Sequence, residues 1–162
     1  QLVLMPIGKL TNIALALKKA PRIAKRVRIV WLGTNYPEPG EYNFVNDIAA
    51  LDPILESNVA FEMVMVRYRK PSGTDAVKAR LEDVRRIMPG KGPPISTPVN
   101  GRHGGKFSNF GDYSVELFEH FPGKPPERPL FDMAAVAIVK NPTWADRSGA
   151  LTVGQRPAQR RS

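Results

Sequence analysis

The stretch from Gln1 to Gly33 constrains the fold more than any other, because two apolar runs flank a strongly periodic helix. Residues 2 to 7 of "QLVLMPIG" read as a buried strand. In "KLTNIALALKK", Leu10, Ile13, Ala14 and Leu17 then recur at i, i+3, i+4 and i+7, on one face of a helix. Pro21 stops that helix and suits the first turn of the next. From that turn "RIVWL" at Arg28 to Leu32 emerges as a second buried strand ending at Gly33. A strand feeding a helix and then another strand predicts an α/β protein with flanking helices.

A polar loop, "GTNYPEPGEYNFVNDIAAL", follows the second strand's carboxyl end, where α/β proteins place binding loops. Asp47 is placed to cap a helix from Ile48, with Pro53 kinking or restarting it, and "AFEMVMVR" at 60 to 67 reads as a third strand. In "SGTDAVKARLEDVRRIMPG" the spacing of Val77, Leu81, Val84 and Met88 predicts a helix after a Thr74 or Asp75 cap, closed by Pro89 and Gly90. Residues 90 to 111 are glycine-, proline- and polar-rich, as long functional or mobile loops are. A helix from Asp112 to Phe121, a linker "PGKPPERP" and a short buried helix capped by Asp132 complete the pattern. We expect a domain over 1–145 and a basic, disordered tail over 146–162.

At 162 residues and 42% hydrophobic the chain can bury a core. It has no cysteine, which excludes disulfides and thiolate metal sites. Its apolar runs are too short to span a bilayer, so no membrane partner is expected. With no signal segment visible either, a cytoplasmic location is the expectation. The net charge of +9 falls to +5 without Arg147 to Ser162, which carry four arginines and no acid. The remaining basic stretch "KKAPRIAKRVR" interleaves cations with apolar residues, as a solvated helix face does, and argues against a phosphate track.

Generic catalytic motifs are excluded one by one. "IGKLT" lacks the first glycine of a phosphate-binding loop, since position 3 is Val, and "GRHGG" lacks the spacing and flanks of a dinucleotide fingerprint. His103 and His120 have no partner at metal-ligand spacing, and no serine sits in a nucleophile elbow. What remains are oxygen donors: Asn35, Glu41 and Asn43 in one loop, Thr11 at a strand-to-helix junction and Asp132 at a helix start. Amides beside a carboxylate match sugar hydroxyls, which both donate and accept; the same atoms suit calcium, or merely satisfy loop backbone.

Three of these segments carry a resemblance. "IGKLTNIALAL" resembles the strand-to-helix segment of the inosine-uridine preferring nucleoside hydrolases, usually written with Gly-Pro-Leu-Thr-Asn. "NYPEPGEYNFVNDIAAL" resembles their ribose-binding stretch, and "LFDMAAVAIV" the segment with their last calcium-ligand aspartate. "KPSGTDAV" and the "GRHGG" loop are similar to a bacterial subgroup.

The resemblance implies a Rossmann-like, mostly parallel sheet of the nucleoside hydrolase type. It implies a nucleoside N-ribohydrolase active in purine and pyrimidine salvage, with Ca2+ as cofactor and a nucleoside as partner; self-assembly into a homo-oligomer is left open. Thr11 would offer its main-chain carbonyl and Asp132 its carboxylate to the calcium. Asn35 and Glu41 would hold the ribose 5'-hydroxymethyl end, and Asn43, with Asp132 nearby, the ring hydroxyls. Phe131 stands where several purine-active members carry an acidic histidine, so it would stack on the base or pack, and His103 is the candidate substitute acid. Lys9 replaces the usual proline, and Trp31 precedes Leu32 and Gly33.

The family's amino-terminal Asp-x-Asp cluster does not occur in the sequence, and the chain opens at Gln1 on a strand already under way. We therefore expect the carboxyl-terminal part of a longer enzyme, with weak or no activity in isolation. Two other classes compete: a basic nucleic-acid-binding module, and a catalytically silent sugar-binding fragment.

Overall fold

A computed structural model describes residues 1–38, 40–67 and 73–141; the tail expected over 146–162 lies outside the described residues. The described residues divide into two compact units, one made of those up to Val77 together with Leu130–Asn141, the other Lys78–Pro129.

The first unit is built on three parallel strands, β1 (Leu2–Leu4), β2 (Val27–Leu32) and β3 (Ala60–Val64), with β2 in the centre. The register pairs Leu2 with Val27 on one side of β2 and Ile29 with Phe61 on the other. A parallel pair needs a crossover. Between β1 and β2 this is α1 (Thr11–Lys19); between β2 and β3 it includes α2 (Tyr42–Val45) and α3 (Leu51–Glu56). The period-two geometry of β2 sends alternate side chains to opposite faces. Ile29 and Trp31 join Leu10, Ala14 and Leu17 of the α1 segment and Ile54 of α3 in one core cluster. Val30 and Leu32 join Val64 and, from α6 (Met133–Lys140), Ala134, Ala135 and Ile138 in the other. Both faces of β2 are therefore covered, which is why it reads as an uninterrupted apolar run. This is the α/β, parallel-sheet architecture with flanking helices that the sequence predicts.

Gly33 ends β2 under the indole of Trp31, which is buried and donates from Nε1 to the Gly8 carbonyl at 2.8 Å. A Cβ at Gly33 would overlap that ring. The glycine is required by close approach.

The second unit pairs β4 (Lys78–Arg80) antiparallel with β7 (Glu127–Pro129), and β5 (Val99–Asn100) with β6 (Lys106–Phe107) as a hairpin. Its helices are α4 (Leu81–Ile87) and α5 (Phe110–Glu119). Four expectations are corrected here. The helix read from about residue 75 begins only at Leu81, because Gly73–Ala76 form a 3-10 turn and residues 78–80 are claimed by the β4–β7 ladder. The "PGKPPERP" linker supplies β7, its proline tolerated in a two-stranded ladder. The long glycine-rich loop contains the β5–β6 hairpin, with His103 in its turn. Helix α5 begins two residues earlier than expected, capped by Asn109, whose side-chain oxygen accepts from Asp112 N at 2.9 Å.

Among the described residues no helix is long and apolar enough to cross a membrane. Lys18, Lys19, Arg22, Lys25 and Arg26 are exposed, as a solvated face requires, while Arg28 forms a two-pronged pair with Glu62 at 2.7 and 2.8 Å.

Candidate functional site at the carboxyl edge of the parallel sheet

The loop after β2 is organised by Glu41. Its side chain precedes α2 at the N-cap position and accepts from Asn43 N and Phe44 N, both at 2.9 Å, so the short helix has its first amides satisfied. The same carboxylate accepts from Thr34 N at 2.9 Å, and the residue is only 4% exposed. Thr34 itself has φ of 67°, a left-handed conformation that a β-branched residue rarely adopts. The bonds to Glu41 and from Val66 N to the Thr34 carbonyl hold it there.

Asn43 and Asn35 tie this loop to the strand ends. The Asn43 amide donates to the carbonyls of Leu32 at 2.9 Å and Ile7 at 3.3 Å, bridging the segments that follow β1 and β2. Asn35 Oδ1 accepts from Arg67 N at 2.8 Å, beyond β3. Thr11, at the start of α1, donates its hydroxyl to the Asp47 carboxylate. Asp47 thus makes no side-chain capping bond to the turn at Ile48–Ala50, although it occupies the cap position. The sequence reading assigned Asp47 only that capping role and missed its link to Thr11; a polar pair separated by 36 residues leaves no local signal.

Asp132 completes the group. It stands at the N-cap position of α6 with helical φ and ψ and makes no capping bond, so its carboxylate is not spent on the helix. Partial burial, and then the negative charge of Glu41, push its carboxyl above the usual carboxylate range. Glu41 thus lies near enough for its charge to act on the Asp132 carboxyl, which stands at the amino-terminal, positive end of α6. Phe131 precedes Asp132 and is 40% exposed.

The site residues named from sequence in the first unit are therefore Thr11, Asn35, Glu41, Asn43, Phe131 and Asp132, and the loop, the α1 start and the α6 start are the elements that carry them. Among the described residues the internal bonds leave unspent the Asp132 carboxylate, the amide oxygen of Asn43 and the amide nitrogen of Asn35. Three main-chain N–H groups already occupy most of the acceptor capacity of Glu41. His103 lies in the second unit. There its Nδ1 is 2.9 Å from Glu116 Oε1 and its ring stacks on His120, which corrects the reading of both histidines as unpartnered.

The profile of one protein family, described as inosine-uridine preferring nucleoside hydrolase, matches residues 1–161. No individual curated protein matches the chain.

Proposed function

The chain belongs to the inosine-uridine preferring nucleoside hydrolase family; from that premise we propose that its first unit is the ribose-binding part of a nucleoside N-ribohydrolase, which cleaves the N-glycosidic bond to release ribose and free base. The observation that carries the reading is the match of the family's profile to residues 1–161, and the charge of Glu41 acting on the Asp132 carboxyl supports it by bringing the loop after β2 and the start of α6 within reach of each other. In this reading Asp132 and the Asn43 amide oxygen accept from ribose hydroxyls, and the Asn35 amide donates to the 5'-hydroxymethyl end. Glu41 adds at most one further acceptor there, its main work being to hold the loop in shape. Phe131 offers an apolar face to the base.

Glycosidic cleavage passes through an oxocarbenium-like state, so positive charge grows on the sugar as the base departs. Two carboxylates beside the ribose would stabilise that state more than the ground state, and only such a difference accelerates the reaction.

The Thr11 carbonyl and the Asp132 carboxylate are hard oxygen donors of the kind calcium takes. Two such donors fall short of the six to eight that a calcium ion requires, so they do not by themselves make a closed site. His103 stays outside the proposal, because its Nδ1 is already committed to Glu116.

The test is calorimetry with ribose, alone and with calcium, alongside chromatographic detection of free base from inosine and uridine. Ribose binding that Asp132→Asn and Asn43→Ala each weaken at least tenfold supports the assignment. Binding indifferent to both substitutions removes it. Binding without base release favours a silent sugar-binding protein. Nucleic-acid binding with a steep salt dependence carried by residues 1–145 would favour the basic-module reading instead.

A further inference from the structure

The sequence contains two histidines, and the fold of the second unit brings both onto one carboxylate. Glu116 and His120 are four residues apart at the end of α5 and so share a helix face. His103 reaches them from the turn between β5 and β6. Nδ1 of His103 lies 2.9 Å and Nδ1 of His120 3.2 Å from Glu116 Oε1, and the imidazoles stack with centroids 5.3 Å apart. One ligand-type atom from each of the three residues falls within 4.8 Å of the other two. The second carboxylate oxygen, Glu116 Oε2, is buried and has no hydrogen-bond partner among the described residues. A buried carboxylate oxygen without a donor is costly, and a cation is one group that would satisfy it.

We propose that His103, Glu116 and His120 form a binding site for a divalent transition cation, Zn2+ being the type case, with a solvent-facing position left for water. Two imidazoles and a carboxylate are borderline donors that suit zinc and its neighbours, whereas calcium takes oxygen alone. The site is therefore chemically distinct from the oxygen donors of the first unit and independent of the ribose reading. Ligand atoms around a tetrahedral ion with bonds of 2.0–2.1 Å stand roughly 3.3 Å apart. The 2.9 and 3.2 Å separations lie just below that spacing, so little rearrangement is needed to admit the ion.

The supporting contacts are those of a preorganised site. Arg102 N donates to the Tyr113 hydroxyl at 3.2 Å, and the Phe107 and Tyr113 rings meet at 5.1 Å, fixing the hairpin turn against α5. Within the turn, Gly101 N donates to the Gly105 carbonyl at 3.1 Å. His120 Nδ1 also lies 3.0 Å from the Glu116 main-chain oxygen, a contact that an ion held by Nδ1 would replace. The Glu116 side chain is 12% exposed and that of His120 54%, so the site opens on one side to water.

The decisive experiment is a calorimetric titration of the full 162-residue chain, stripped of metal with a chelator and dialysed, against zinc chloride. One equivalent should bind with a dissociation constant of about 10 µM or tighter. His103→Ala, Glu116→Gln and His120→Ala should each weaken binding at least tenfold, while Asp132→Asn should leave it unchanged. Should a variant fail to fold, the unmodified chain still decides the question by nuclear magnetic resonance. Both histidine ring signals must shift together and saturate at one equivalent of Zn2+. Ring signals that stay put, binding only at millimolar zinc, or affinity unaltered in the three folded variants would each overturn the site.

Discussion

Glu41 does more for the loop after β2 than any other residue, since one buried carboxylate satisfies three main-chain amides. Glu41→Ala strands those donors, so urea unfolding should show a loss of about 2–4 kcal/mol. A loss below ~0.5 kcal/mol would mean that water replaces the carboxylate at no cost. Thr34→Gly should act in the opposite direction: glycine adopts a φ of 67° freely, and relief of that strain should raise stability by up to about 1 kcal/mol. Asp132 makes a pH-dependent prediction. Its carboxyl titrates above the usual range, so the folded state holds the proton more tightly than the unfolded state. Its stabilising contribution is complete below the ordinary carboxylate pKa of about 3.9 and is lost as pH rises through the folded value. Asp132→Asn should therefore raise the urea midpoint at pH 7, with the difference closing as pH falls towards 3. A constant difference across that range would show that the carboxyl's charge is not the cause.

At the scale of elements, β2 is the organising piece, because both its faces are buried and each recruits a different set of helices. Gly33→Ala should disturb its end directly. The new methyl group meets the Trp31 ring, so we expect a loss of about 1–3 kcal/mol and a shifted tryptophan emission. Unchanged emission would place the indole elsewhere. α1 and β2 were legible because a buried strand and an amphipathic helix write their periods locally, whereas the buried strand expected over residues 2 to 7 is confined to Leu2–Leu4 and is largely exposed, Leu2 at 63%. The β4–β7 ladder was not: Lys78 pairs with Pro129, fifty-one residues away, and strands this short leave no period to read. The same ladder explains why the helix expected from residue 75 starts at Leu81, since paired backbone at 78–80 overrides a helical side-chain repeat.

For the whole molecule, the division into two units sets the expectation for exchange experiments. Zinc binding at His103, Glu116 and His120 should slow amide hydrogen exchange within 78–129 and leave β1, β2 and β3 unchanged. Uniform protection of both units would contradict a ligand confined to the second. Taken alone, the order of residues determined the α/β class, the central strands, the polar loop and the family, because periodicity, prolines and short motifs act over a turn or two of chain. Tertiary structure decided how the named side chains are spent: Glu41 on loop amides, Thr11 on Asp47, Asp132 left uncapped beside a like charge, and two histidines joined on Glu116. Those outcomes depend on which atoms meet across dozens of residues, and a side chain's free hydrogen-bonding capacity exists only after its folded neighbours have taken their share.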